Sequence, residues 1–145
     1  MAKAYFREAG SGPAVLCLHC SASTSGQWRP LMEQLAGRYR VIAPDLYGCG
    51  KSPAWPGERP MWLDDQIELL APAFERAGER FHLIGHSYGG AIALKAALRF
   101  TQKLESLVLY EPVLFSVLLA AAPHSPAARE ITAVRDGVLA GPPPA

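Results

Sequence analysis

Four short apolar runs constrain the fold most strongly: "AVLCLH" at residues 14–19, "YRVIA" at 39–43, "FHLIG" at 81–85 and "LESLVLY" at 104–110. The first is continuously apolar up to its terminal histidine, as a strand covered on both faces should be. Helical patterns lie between the runs. Trp28, Leu31, Met32 and Leu35 fall on one face of a helix, as do Leu63, Ile67, Leu70 and Phe74. An alanine-rich helical stretch covers residues 88–100. Strands that alternate with helices predict an α/β fold, a mostly parallel sheet with helices on both faces. Residues 5–9 add a first strand, turned by Gly10, Ser11, Gly12 and Pro13.

Punctuation marks the element ends. Ser25 is the expected N-cap of the first helix, Pro30 lies in its early turns, and Gly37 closes it. The helix over residues 61–77 contains Pro72, which predicts a kink or a split, and Gly78 ends it. Residues 44–60 form a long loop rich in Gly and Pro. Ser125 and Pro126 are an N-cap and first-turn pair for a last helix reaching about residue 135. The closing "GPPPA" fits neither a helix nor a central strand.

The chain has 145 residues, half of them hydrophobic, enough for one core and too few to argue for two. A net charge of +1 without a Lys/Arg run makes nucleic acid and anionic membranes poor partners. The most apolar run, residues 113–122, is ten residues long, about half a membrane span. The first residues, "MAKAYFREAGSG", lack the apolar centre of a signal peptide, so a cytoplasmic location is expected. The three cysteines, Cys17, Cys20 and Cys49, are an odd number, which argues against a disulfide framework. Cys17 and Cys20 match C-x-x-C, but Cys17 lies inside a strand-like run rather than at a helix start. No second ligand pair stands at zinc-finger spacing, and neither a metal nor a cofactor is expected.

The chemistry points to residues 83–90, "LIGHSYGG", where a strand runs into a helix through G-x-S-x-G. A serine on so tight a turn projects from the top of the sheet in a strained backbone conformation. Gly85 and Gly89 must be small because strand and helix crowd together there. The N–H of Tyr88, at the helix start, points to where an oxyanion would form. Ser87 is therefore the candidate nucleophile; the plainer reading is a serine that merely caps a helix. The loop after residues 14–19, "LHCSASTSGQW", is the expected source of a second oxyanion donor.

These stretches together resemble the α/β-hydrolase family. Members carry His-Gly-x after that strand and then a Trp opening the next helix. Here the matching residues are His19, Cys20, Ser21 and Trp28, with Cys20 at the usual Gly position. The resemblance assigns the second donor N–H to Ser21 and a structural, loop-holding role to His19. "APDLYGCGKS", residues 43–52, resembles the family's Pro-Asp-x-x-Gly-x-Gly-x-Ser loop, in which Asp45 is structural and the loop shapes the mouth of the site. Gly50, Lys51 and Ser52 alone suggest a phosphate-binding loop, but that motif needs Gly where Asp45 stands. The resemblance covers residues 5–111 and implies acyl transfer to a serine, with an imidazole base and a carboxylate that orients it.

In this fold the acid and the histidine follow the serine along the chain. The sequence is expected to be the N-terminal portion of such a core, residues 1–112, followed by cap-like helices and a Pro-rich tail at 113–145. His82 and His86 lie in the strand leading to the elbow, where His82 should pack and His86 should face away from Ser87. His124 is the one histidine after Ser87 and sits in a loop. Glu111, at the C-terminal end of its strand, is the candidate acid; a locally bonded strand-end carboxylate is the alternative. The implied partner is a small-molecule acyl substrate. The strand at 104–110, lacking an outer neighbour, predicts self-association through an open sheet edge. Two further readings stay open: a catalytically inactive module on the same scaffold, and a redox protein using Cys17 and Cys20.

Overall fold

In the computed structural model, which describes residues 2–141, the four apolar runs and the segment before them become five neighbouring strands. They are β1 (Phe6–Ala9), β2 (Ala14–Leu18), β3 (Arg40–Pro44), β4 (Phe81–His86) and β5 (Leu104–Tyr110). The sheet order is β1-β3-β2-β4-β5. β1 runs antiparallel to β3, and the pairs β2–β3, β2–β4 and β4–β5 are parallel. The four-residue turn between β1 and β2 is too short for a helical crossover; β1 runs antiparallel beside β3 at the sheet edge.

β2 lies in the middle and is buried along its whole length. Its alternate side chains therefore feed two cores. Leu16 and Leu18, with Ile42 and Leu83, pack under Ile67, Leu70, Phe74 and Ile92 of the helical layer. That layer consists of α2 (Leu63–Leu69), α3 (Ala71–Ala77) and α4 (Tyr88–Arg99). On the opposite face Val15 and Cys17, with Val41 and Ala43, pack against Trp28 and Met32, beside α1 (Arg29–Leu35). Helices thus cover both faces of a mostly parallel sheet, the α/β architecture expected.

Two local differences, and the split expected at Pro72, have physical causes. The first helix begins with a 3-10 turn, Ser25–Trp28, whose cap is Thr24; its hydroxyl accepts from the Gly26 N–H. Ser25 is instead buried, its N–H given to Asp45 and its hydroxyl accepting from Arg7 Nε. The helix containing Pro72 is split at Leu70, because a proline in the second position of α3 has no N–H for a helical acceptor one turn earlier. The last helix, α6 (Pro126–Ala140), runs five residues past its expected end. Gly137 is absorbed at a cost of about 1 kcal/mol, and Gly141, at φ +74°, supplies the stop.

The molecule divides into two units, Met1–Val113 and Leu114–Ala145. The second holds α5 (Phe115–Ala121) and α6, with Ser125 capping α6 by accepting from the Ala128 N–H at 3.1 Å. The "PPPA" end of the predicted tail lies outside the described residues. Among the described residues β5 pairs with β4 alone, and Val108 and Tyr110 on it are 51% and 59% exposed.

Candidate active site

β4 delivers Ser87 at its C-terminal end, and α4 starts with the next residue. Ser87 has φ +54° and ψ −117°, a conformation that only a tightly held non-glycine residue keeps. What holds it is backbone. Its N–H donates to the Tyr110 carbonyl at 2.9 Å, and its own carbonyl accepts from Gly90, Ala91 and Val113. The flanking glycines are sterically required. A Cβ on Gly85 would lie 2.7 Å from the Ala93 Cβ and the Gly90 Cα, and one on Gly89 would collide with the carbonyl oxygens of Leu18 and His19. The second contact has a further consequence: the first turn of α4 is pressed onto the end of β2, where the other loop begins. Tyr88 is the first residue of α4, so its N–H has no acceptor within the helix.

The loop after β2 is built around His19, which is completely buried. Its Nδ1–H donates to the Cys20 carbonyl at 2.7 Å, and its Nε2 accepts from the Leu46 N–H at 3.1 Å. Both ring nitrogens are thus engaged in joining this loop to the one after β3. Burial lowers the His19 pKa below its ordinary 6.5, which keeps the ring neutral for that pair of bonds. Ser21 and Ala22 form the exposed turn, and Ala22, not Cys20, has the left-handed φ of +55°.

Asp45, 2% exposed, organises the other loop. Its Oδ1 accepts from the Ser25 N–H at 2.6 Å and its Oδ2 from the Lys51 N–H at 2.9 Å. Its carbonyl accepts from the Ser52 hydroxyl. Burial alone would raise the pKa of this carboxyl; the N–H groups of Lys51 and Ser25 outweigh burial and hold it below 3.8.

Sequence reasoning passed over Gln27. Its Oε1 accepts from the Cys20 N–H at 3.1 Å, and its Nε2 lies 2.9 Å from His86 Nδ1. The His86 ring packs tilted against Tyr110, with ring centroids 4.9 Å apart. Nothing in the local sequence signals this link, because residues 27 and 86 meet only when β2 and β4 pair. His82 differs from its expected packing role: it is half-buried, with Nδ1 2.8 Å from the Ser106 hydroxyl and its ring edge-on to Tyr39. Glu111 directly follows β5, is exposed, and has φ +44°.

Redox chemistry at C-x-x-C has no footing here. Cys17 is fully buried inside β2, and burial pushes its thiol up to about 12. Among the described residues all three cysteines are free, and no group of three or more His, Cys, Asp or Glu converges as metal ligands do.

Residues 13–139 match the family model of the alpha/beta hydrolase fold. The chain belongs to the α/β-hydrolase fold family. Among its relatives, an uncharacterized protein of Mycobacterium tuberculosis is 38% identical over 106 residues, 72% of this chain and 30% of that protein. The pimeloyl-[acyl-carrier protein] methyl ester esterase of Aeromonas salmonicida is 35% identical over 101 residues, 68% of this chain and 37% of that protein. The solved α/β-hydrolase structure of 2-hydroxy-6-oxo-6-phenylhexa-2,4-dienoate hydrolase from Rhodococcus superposes with a TM-score of 0.69 at 28% identity, covering 76% of this chain and 41% of that one. This α/β-hydrolase chain therefore spans about a third of the length of the curated relatives it matches. Among its described residues no helix is long and apolar enough to cross a membrane.

Proposed function

We propose that these residues carry the nucleophile side of a serine hydrolase acting on a small ester-type substrate. The observation that carries this reading is the strained backbone of Ser87, fixed by Tyr110, Gly90, Ala91 and Val113 at the junction of β4 and α4. Folded chains keep such strain where it serves a site. Ser87 loses its proton to a base and attacks the acyl carbonyl, the N–H groups of Ser21 and Tyr88 receive the oxyanion, and the ester C–O bond breaks to release the protonated alcohol and leave an acyl-enzyme. A relative named as a methyl ester esterase supports ester hydrolysis, and a neighbour named as a dienoate hydrolase supports a small-molecule substrate. His19, Cys20, Asp45, Gly85 and Gly89 shape the two loops and the elbow without touching the reacting atoms.

The base is not among the histidines of the first unit. Both nitrogens of His19 hold loops, His82 and His86 use Nδ1 on Ser106 and Gln27, and among the described residues no hydrogen bond joins a histidine ring to the Ser87 hydroxyl. We place the base outside residues 1–113, and Glu111, at the end of β5, is the candidate acid. Because residues 1–113 lack a committed base, those residues by themselves should turn over slowly.

A fluorophosphonate probe tests the nucleophile. A covalent adduct that maps to Ser87 and vanishes in Ser87→Ala supports it, whereas no adduct on the wild type refutes it. A second reading, an inactive scaffold that pairs through its sheet edge, draws on the exposed Val108 and Tyr110 of β5. It predicts a concentration-dependent dimer in sedimentation, lost when Val108 is replaced by Lys; a monomer at all concentrations refutes it.

A further inference from the structure

We infer that Gln27 is a positioning residue: its side-chain amide clamps the loop that carries Ser21 to the strand end that carries Ser87, and so sets the spacing between the two oxyanion donors. The inference rests on the reading of Ser87, Ser21 and Tyr88 given above.

The chemistry of the clamp is directional. A backbone N–H can only donate, so the Cys20 N–H fixes the Gln27 amide with its oxygen toward Cys20. The other end of the amide must then be the NH2 group, and it faces His86 Nδ1 at 2.9 Å. Nδ1 therefore accepts, and the neutral His86 ring carries its proton on Nε2. An imidazolium, or the other tautomer, would set two donors face to face. The amide orientation follows from the backbone rather than from free choice, because a flipped amide would oppose the Cys20 N–H in the same way.

Both ends of the link are anchored close to the reacting atoms. Cys20 precedes Ser21 and His86 precedes Ser87. The His86 ring lies against Tyr110, whose carbonyl also receives the Ser87 N–H. Gln27 itself stands on a rigid base. It lies in the 3-10 turn that Thr24 caps, its N–H donates to the Thr24 carbonyl at 3.0 Å, and the turn is tied to buried Asp45 through Ser25. Without the amide, the exposed turn at Ser21 and Ala22 keeps its tie to the loop after β3 through His19 but loses the side-chain link toward the elbow that Gln27 supplies among the described residues. Oxyanion donors act at distances of about 2.7–3.1 Å, so a shift of a few tenths of an ångström in one of them slows acylation while leaving substrate binding in place.

The test compares Gln27→Met, which keeps the length and removes both bonds, with Gln27→Glu, which keeps an acceptor for Cys20. Three readouts on the 145-residue chain are needed: amide hydrogen exchange at Cys20, the 15N pattern of the His86 ring, and the rate of fluorophosphonate labelling. In the wild type, the neutral His86 ring should show its proton on Nε2. Gln27→Met should speed Cys20 exchange about fivefold, the loss of one hydrogen bond, and slow labelling about tenfold or more at unchanged reversible binding of the probe. Gln27→Glu should retain Cys20 protection and draw a proton onto His86 Nδ1. Unchanged Cys20 exchange in Gln27→Met, or a wild-type neutral ring protonated at Nδ1, would overturn the clamp. Faster exchange with an unchanged labelling rate would overturn its positioning role. Absence of labelling in the wild type would instead sink the reading of Ser87 and the catalytic half of this inference, while exchange and tautomer would still decide the clamp.

Discussion

Replacing Asp45 by Asn should remove about 3 kcal/mol of stability, and the loss should depend on pH in a defined direction. The two carboxylate oxygens accept from the Ser25 and Lys51 N–H groups at 2.6 and 2.9 Å in a buried site. Hydrogen bonds to a charged partner contribute about 1.5–3 kcal/mol each. An asparagine oxygen can keep one of them as a neutral bond of about 1 kcal/mol, and its NH2 must face the other N–H, donor against donor. The difference is on the order of 3 kcal/mol, a large share of the roughly 5–15 kcal/mol that stabilises a typical domain. Urea unfolding at pH 7 measures it as a lower midpoint at similar slope. The folded carboxyl has its pKa held below the ordinary 3.8. A depressed carboxyl stabilises fully above its unfolded pKa, and that contribution fades as pH falls through the folded value. The gap between wild type and Asp45→Asn should therefore be constant from pH 7 to about 5 and shrink below about 4. A gap under about 0.5 kcal/mol at pH 7, or one unchanged at pH 3, would refute this account of the loop.

Two further substitutions probe the elbow. Ser87→Gly removes the left-handed strain at φ +54° and should raise stability by about 1 kcal/mol after the entropic cost of glycine, while abolishing labelling; a lower urea midpoint would mean the strain is not there. Gly89→Ala forces a methyl group against the carbonyls of Leu18 and His19, which cannot rotate away as a side chain would. It should cost about 1–3 kcal/mol and also slow labelling of Ser87, and wild-type stability with wild-type labelling would show that β2 and α4 are not pressed together.

How much was legible depended on whether a signal was local. Helix and strand identities were, because burial on one or both faces leaves a period in the sequence: the buried run of β2 and the Trp28–Met32 face of the first helix both stand where their patterns predict. Ends were less legible. Ser25 has the chemistry of a cap, but its hydroxyl accepts from Arg7 Nε and its N–H is given to Asp45, twenty residues on, which draws it into the interior. The last helix runs past its expected end near residue 135 because a helix with a good cap at Ser125 tolerates a single glycine at position 137. The G-x-S-x-G elbow was readable because its requirement, small residues around a sharp turn, is met by neighbours in sequence.

By itself the sequence determined the order of strands and helices, the α/β class and the family's loops, since each follows from periodicity or from residues a few positions apart. Tertiary structure alone decided that β1 lies antiparallel at the edge, that both nitrogens of His19 are spent on two loops, and that Gln27 reaches His86 across 59 positions. Those outcomes depend on which strands pair and in what register, and no local pattern encodes a hydrogen bond between residues that only the closed sheet brings within 3 Å.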